Sequence, residues 1–280
     1  SKNESLIAKS SSGGAFTAIL EAFGDEETLI FGAELRKDFT VHHTMANGIT
    51  QAKKFRKSKY VKSAVDNTLI ETKKALNENR KVIFSGTGCQ IMGLMGYLNK
   101  DYPNLLTIDL VCYGTPSQFI FIKYLNYLEK KYNSKVIDYE FRTKKTFNGI
   151  VDPMSVKINF ENKQTIYLRS DEDYYIKGYV NNILSSPACY NCPAASKERA
   201  SDILIADFWG IENYNKLFDA DKGASLIVPN TEKGKDVISR LNNVDIFETN
   251  IENAVIANDA LKKPQSKHNN YEQFLNDIIK

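Results

Sequence analysis

Cys189 and Cys192 lie in the stretch SPACYNCPAASKERASDILIADFWG, residues 186–210, together with the only tryptophan of the chain, Trp209. A Cys-x-x-Cys pair delivers two sulfur ligands from one short piece of chain, an arrangement shared by zinc knuckles, redox dithiols and iron–sulfur sites. Pro193 followed by Ala-Ala-Ser-Lys reads as loop, whereas a thioredoxin-like dithiol opens a helix directly after a strand. Cys89 and Cys112 bring the cysteines to four. Four thiolates suit either zinc or a [4Fe-4S] cluster, and four unrelated buried cysteines are the third reading. Histidine chemistry is poorly supplied. Of the three histidines, His42 and His43 are adjacent on one strand and so face opposite ways, and His268 sits in a polar tail. A Ser-His-Asp triad or a His-rich zinc site does not fit that distribution. Neither GxxxxGK[ST] nor a clean GxGxxG follows a strand, so no P-loop or standard dinucleotide fingerprint is present.

The elements that must position these cysteines are those of an α/β protein. Residues 66–80 read as a helix capped by Asp66, residues 81–86 as a buried strand, and residues 87–100 as a helix. Residues 105–111 form a second buried strand, followed by a helix opened by Pro116. Apolar strands without alternation, separated by helices, imply neighbouring parallel strands with right-handed crossovers. Cys89 follows the first strand and Cys112 the second, so both fall on the carboxyl edge of the sheet, where open α/β sheets bind ligands. Gly86-Thr87-Gly88 and Gly114 let backbone come close to a ligand there.

Ahead of this core, Ser10, Ser11, Ser12, Gly13 and Gly14 open a helix in which Phe16, Ile19, Leu20 and Phe23 recur at helical spacing. Such a start offers hydroxyls, backbone N–H groups and the positive end of a helix dipole to a phosphate. The plainer reading is N-capping by Ser12. Leu29–Leu35 and residues 39–45 read as a hairpin. The loop KKFRKSKYVKS, residues 53–63, interleaves Lys57, Lys59 and Lys62 with Phe55 and Tyr60. It is either a solvated basic loop or an anion site, and a cofactor diphosphate suits it better than nucleic acid because no second basic patch accompanies it.

The second half is richer in β-structure. Residues 136–142, 150–160 and 164–169 read as antiparallel strands with a turn at Asn162-Lys163, and residues 171–184 as a short helix. Strands over residues 201–208 and 223–230 follow, then a helix from Thr231, the segment 251–264 and a last helix over residues 270–280. The fold expected is α/β: a mixed sheet with a parallel βαβ core, and a β-richer second half packed against it. The expected division is an N-terminal α/β lobe, residues 1–135, and a C-terminal mixed α/β lobe carrying the Cys-x-x-Cys motif, residues 136–280, with one compact unit as the alternative.

With 280 residues, 42% hydrophobic and 25% charged, and a net charge of +3, the composition is that of an ordinary globular protein. The charge is too small and too dispersed to indicate nucleic acid or a membrane surface. No apolar run long enough for a transmembrane helix or a signal peptide occurs. Four sparse cysteines without a secretion signal favour the reducing cytoplasm.

KSSSGGAFTAIL (residues 9–20), KSKYVKS (57–63), FSGTGCQIMGL (84–94), LVCYGTPS (110–117), CYNCP with SDILIADFWG (189–210) and KGASLIVPNTEKG (222–234) occur in this order. Together they resemble the beta-subunit family of coenzyme F-420 hydrogenases and dehydrogenases, which includes hydroxymethyl chlorophyll reductase-like members. The resemblance implies an iron–sulfur flavoprotein oxidoreductase that binds FAD and a [4Fe-4S] cluster. It would move electrons between a one-electron donor, a ferredoxin or a ferredoxin-like domain, and a small two-electron acceptor such as a deazaflavin. It makes Cys89, Cys112, Cys189 and Cys192 the cluster ligands. It places Ser12, Gly13, Gly14, Lys57, Lys59, Tyr60, Thr87 and Gly88 around the flavin. Asp207 and Trp209 either shape this pocket or form a strand-end turn with a core tryptophan. The turn departs from the family's usual pattern in having Gly88, not proline, before Cys89. The reading from another class is a non-catalytic protein in which four cysteines hold zinc and the crevice binds a partner.

Overall fold

The computed structural model describes residues 1–216, 218–219 and 221–279, with the side chain of residue 279 left aside. A short helix α1 (Glu4–Ala8) and the serine–glycine turn lead into α2 (Ala15–Phe23). The expected hairpin follows as β1 (Leu29–Leu35) and β2 (Val41–Asn47), paired antiparallel. Next come α3 (Thr68–Asn77), β3 (Val82–Thr87), α4 (Gly88–Leu98), β4 (Leu105–Leu110) and α5 (Gln118–Tyr132). Asp66 does not cap α3. It sits at φ +47° and its carboxylate reaches His42 Nδ1 at 2.5 Å, while Asn67 takes the cap position.

Beyond α5 the chain builds β5 (Val136–Glu140), β6 (Lys145–Phe147), β7 (Ile150–Asp152), β8 (Val156–Phe160) and β9 (Thr165–Leu168). The single strand expected over residues 150–160 is thus two strands broken around Pro153, a residue with no N–H for a ladder. β6 and β7 form a separate hairpin. Its turn is Asn148-Gly149, both at positive φ, the conformation that a tight hairpin turn demands. The chain closes with α6 (Tyr174–Val180), β10 (Ile203–Asp207), β11 (Ser225–Pro229), α7 (Glu232–Ser239), α8 (Ile251–Ile256) and α9 (Tyr271–Ile279). Lys280, which the sequence places in the last helix, lies outside the described residues.

Six strands form the main sheet in the order β11-β10-β4-β3-β1-β2. The pairs β1–β3, β3–β4 and β4–β10 are parallel, and the edge strands β2 and β11 run antiparallel to their neighbours. The sheet therefore draws strands from both sides of residue 135. Alternating side chains divide between two cores. Ile30, Ile83 and Leu106 pack with Ile19 and Leu20 of α2 and Val237 of α7. Phe31, Phe84 and Leu105 pack with Leu76 of α3 and Ile91 and Leu94 of α4. A third core joins α5 and α6 to the three-stranded antiparallel sheet β5-β8-β9 through Phe121, Tyr139, Ile158 and Tyr175.

The junction of β4 with β10 carries its own lock. Asp202 Oδ2 accepts from Thr107 N and Oγ1, both at 2.9 Å, and Asp202 N donates to Thr107 Oγ1 at 2.8 Å. Asp202 Oδ1 accepts from Thr231 Oγ1 at 2.8 Å, and Thr231 caps α7. Gly234 in α7 then crosses β10 so closely that a Cβ would stand 2.2 Å from Asp202 O. Backbone cannot yield there as a flexible side chain can. Gly234→Ala is expected to destabilise the fold by about 1–3 kcal/mol or more, read as a lower midpoint in urea denaturation, whereas Gly93→Ala, which meets nothing within 4 Å, stays near wild type.

Candidate functional site

Because β1, β3, β4 and β10 are parallel, their carboxyl ends share one edge, and a cleft of about 600 Å³ opens over it, within the size range of small-molecule sites. Its floor is made of Ala33, residues 85–87, residues 110–111 and residues 205–207. Residues 10–12 and the start of α2 form one side, residues 55–63 a second, and Arg142, Met154 and Tyr179 cover it. Asn258, Asp259 and Gln265 of the tail close the remaining side.

At one end lies the start of α2. Gly14 holds φ +90° as its N-cap and no side chain caps the helix, so the first N–H groups stay unclaimed. Ser12 is occupied elsewhere, its Oγ donating to Ala224 O at 2.8 Å. Gly13 is pinned against β11, with its N–H donating to Ser225 Oγ and no room for a Cβ beside Gly223 O at 3.0 Å. Ser11 accepts from Ser58 N at 2.7 Å and so ties this turn to the basic loop.

Within that loop Lys57 and Lys59 are already engaged. Lys57 pairs with Glu140. Lys59 Nζ donates to Arg56 O at 2.7 Å and Phe55 O at 2.9 Å. It closes the short 3₁₀ turn Gln51–Phe55. Burial pulls its ammonium down to about 7, against the field of Glu34 and against those carbonyl oxygens, which favour the charged form. Arg56 lines the cleft as well. Its Nε donates to Thr17 Oγ1 at 3.0 Å, which sets the guanidinium beside the first turn of α2. The sequence placed Arg56 inside the loop but gave no sign of this tie to α2.

Across the cleft Tyr60 packs against Tyr179, with ring centroids 4.4 Å apart, and donates to Met154 Sδ. Burial raises its pKa, so it remains a neutral phenol. Arg142, at φ +59° and with 4% of its side chain exposed, grips Asp207 through both Nη atoms at 2.5 and 3.1 Å. The guanidinium also lies 5.3 Å from the Trp209 ring, so Asp207 and Trp209 hold this cation over the cleft.

His43, also unrecognised in the sequence, lies at the floor. It stacks on Phe84, and its Nε2–H donates to Ser85 O at 3.0 Å, which leaves Nδ1 to accept from Ser63 Oγ at 2.9 Å. Gln90 Nε2 donates to Ser63 Oγ at 2.9 Å, and Gln90 Oε1 accepts from Thr87 N at 3.0 Å. Burial lowers the His43 pKa, so the imidazole is neutral. This chain fixes the Thr87 turn, and Thr87 Oγ1 lies 3.3 Å from Cys89 Sγ.

Cys89 stands in the first turn of α4 and is exposed, and Cys112 is half-buried just after β4. Both line the cleft; Cys189 and Cys192 stand outside it, behind the Cys112 loop. Ser186 N and Oγ both donate to Thr115 O, at 3.0 and 2.8 Å, and a bridge pairs Pro116 with Ser185. Gly114, at φ +105°, is packed against this segment so tightly that a Cβ would meet Ser185 Oγ at 2.3 Å and Cys189 Cβ at 3.5 Å. Burial, and then the fields of Cys189, Cys89 and Cys192, push the Cys112 thiol up to about 12. The four cysteines are thus electrostatic neighbours. Among the described residues no three His, Cys, Asp or Glu side chains are drawn together closely enough to hold a single metal ion. Gly88 stands apart from the cleft lining, against Ala194 and Arg199.

The assembly is thus a mixed sheet with a ligand-sized cleft on the carboxyl edge of its parallel strands and four free cysteines beside it. The chain belongs to the family described as the C terminus of the beta subunit of coenzyme F420 hydrogenase/dehydrogenase, whose model matches residues 79–254. Membership places it among the subunits of oxidoreductases. The fold is shared with a chain of the xenon-derivatized F420-reducing [NiFe] hydrogenase complex from Methanosarcina barkeri. The likeness has a TM-score of 0.51 at 18% identity and covers 85% of this chain and 75% of that one. No curated protein matches the chain at a significant level. No helix among the described residues is long and apolar enough to cross a membrane.

The thiolate is the nucleophile in alkylation, so the raised Cys112 pKa has a direct readout. In metal-free protein at pH 7.5, iodoacetamide is expected to modify exposed Cys89 at least roughly tenfold faster than Cys112, as followed by peptide mass spectrometry; equal rates would contradict the burial of Cys112.

Proposed function

We propose that the chain is an iron–sulfur flavoprotein oxidoreductase, holding FAD in the cleft and a [4Fe-4S] cluster on Cys89, Cys112, Cys189 and Cys192. The observation that carries this reading is that one cleft has an uncapped helix start with Arg56 at one end and two of four neighbouring cysteines at the other. The first end suits a diphosphate, and the second suits soft-metal ligation. Bound there, the two groups would supply one-electron and two-electron redox chemistry. The partner we infer is a ferredoxin or ferredoxin-like domain, the acceptor a small molecule, and the compartment the cytoplasm, where free cysteines persist.

The chain's own contributions follow from the contacts above. Arg56 and the N–H groups of α2 bind anionic oxygens. Tyr60, Tyr179 and Met154 exclude water from one side, and Arg142, clamped by Asp207 and flanked by Trp209, keeps a fixed positive charge over the cleft. The His43–Ser63–Gln90 chain holds the turn that carries Cys89.

Anaerobic reconstitution with iron, sulfide and FAD is expected to give a yellow-brown protein retaining flavin and about four irons per chain; a colourless protein that retains zinc instead would sink the proposal. Cys189→Ser is expected to abolish iron retention while leaving flavin bound. Arg56→Ala is expected to weaken FAD binding by about tenfold or more, the worth of a charge-assisted hydrogen bond, in a fluorescence titration, with iron content unchanged.

A further inference from the structure

Behind the cysteines lies an ion pair that the binding of substrate or flavin does not use. Arg199 Nη1 is 3.4 Å from Asp109 Oδ2, with 3% and 1% of the side chains exposed. Unlike the two-pronged Arg142–Asp207 pair, it makes one long contact, and Arg199 Nε and Asp109 Oδ1 are buried without any partner. A buried pair of this geometry does not recover the cost of removing both charges from water, and each orphaned polar atom adds to that cost. Such a pair stabilises the fold poorly.

Its position gives it another use. Asp109 is the penultimate residue of β4 and pairs with Gly86 of β3. A Cβ on Gly88, the residue before Cys89, would lie 2.7 Å from Arg199 Nη1, 2.7 Å from Ala194 Cβ and 3.2 Å from Asp109 Oδ2. Ala194 is two residues past Cys192. The pair is therefore wedged between the Cys89 turn and the Cys192 segment. Four thiolates brought together out of water concentrate negative charge, and a guanidinium held beside them offsets it.

We propose that Arg199, held by Asp109, is a positioning residue that supplies the counter-charge for the group bound by the four cysteines and sets its reduction potential. This rests on the iron–sulfur reading above. Reduction adds negative charge, so a fixed cation nearby favours it, and loss of that cation makes the group harder to reduce.

The test uses the full chain reconstituted with iron and sulfide, comparing wild type, Arg199→Lys, Asp109→Asn and the double variant Asp109→Asn with Arg199→Met. The double variant leaves no unpaired buried charge, whereas Asp109→Asn strands Arg199 as Arg199→Met would strand Asp109; where Asp109→Asn does not fold, the fall is read from wild type to the double variant, and equal potentials in that pair overturn the proposal. Iron content and the midpoint potential, from an EPR-monitored redox titration at pH 8.5, are read for each. At that pH Asp109, pushed up to about 7 by burial, is ionised. The expected result is a potential near wild type in Arg199→Lys, a rise in Asp109→Asn, and a fall from Asp109→Asn to the double variant. Loss of iron from the double variant alone also supports the counter-charge. Equal potentials in Asp109→Asn and the double variant overturn the proposal, as does loss of iron from Arg199→Lys. Wild-type protein that takes up no iron overturns the iron–sulfur reading itself and this proposal with it.

Discussion

The parallel pairing of β4 with β10, fastened by Asp202 on Thr107, is the constraint on which the rest of the architecture depends. These strands are separated by the whole of α5, the second sheet and α6, and their register fixes how far the Cys112 loop stands from the segment entering β10. Asp202 receives bonds from backbone and hydroxyl of the same threonine and from the cap of α7. One carboxylate thereby sets two strands and a helix. It is buried with its acceptor oxygens engaged, the condition under which such a group rigidifies a core.

From that register follow the relations among the loops. Gly114 lies against Ser185 with no space for a side chain, and Gly88 lies against Ala194 and Arg199. Two glycines, one after β3 and one after β4, therefore meet the Cys189–Cys192 segment at two points. At the opposite end of the cleft, charge is sorted by local bonding. Lys57 and Lys59, which look available in the sequence, are bound to Glu140 and to backbone carbonyls, while Arg56 is tied to Thr17 of α2.

Much of this was legible in the residues. The alternation of strands and helices from Val82 to Tyr132 was readable because β3 and β4 are buried on both faces and so lack a polar period. Cys89 and Cys112 were readable as a pair because parallel strands force their following loops onto one edge, where both line the cleft. The family resemblance of the motifs is met by the family match over residues 79–254. What escaped was set by contacts distant in sequence. Asp66 reads as a helix cap, yet it turns toward His42. Nothing local marks His43 as the partner of Ser63 and Ser85, and nothing near Arg199 points to Asp109, ninety positions earlier. The β6–β7 hairpin carried its Asn148-Gly149 signal in plain view, but its strands are too short for periodicity to reveal.

The tail that closes the cleft bears on how the protein is made. Asn258, Asp259 and Gln265 form one of its sides, and Asn258 is bound to the backbone of Asp207. Chains emerge from the ribosome amino end first and fold as they do so. Asn258, Asp259 and Gln265 are therefore the last of the cleft lining to leave the ribosome, after the residues of every other side.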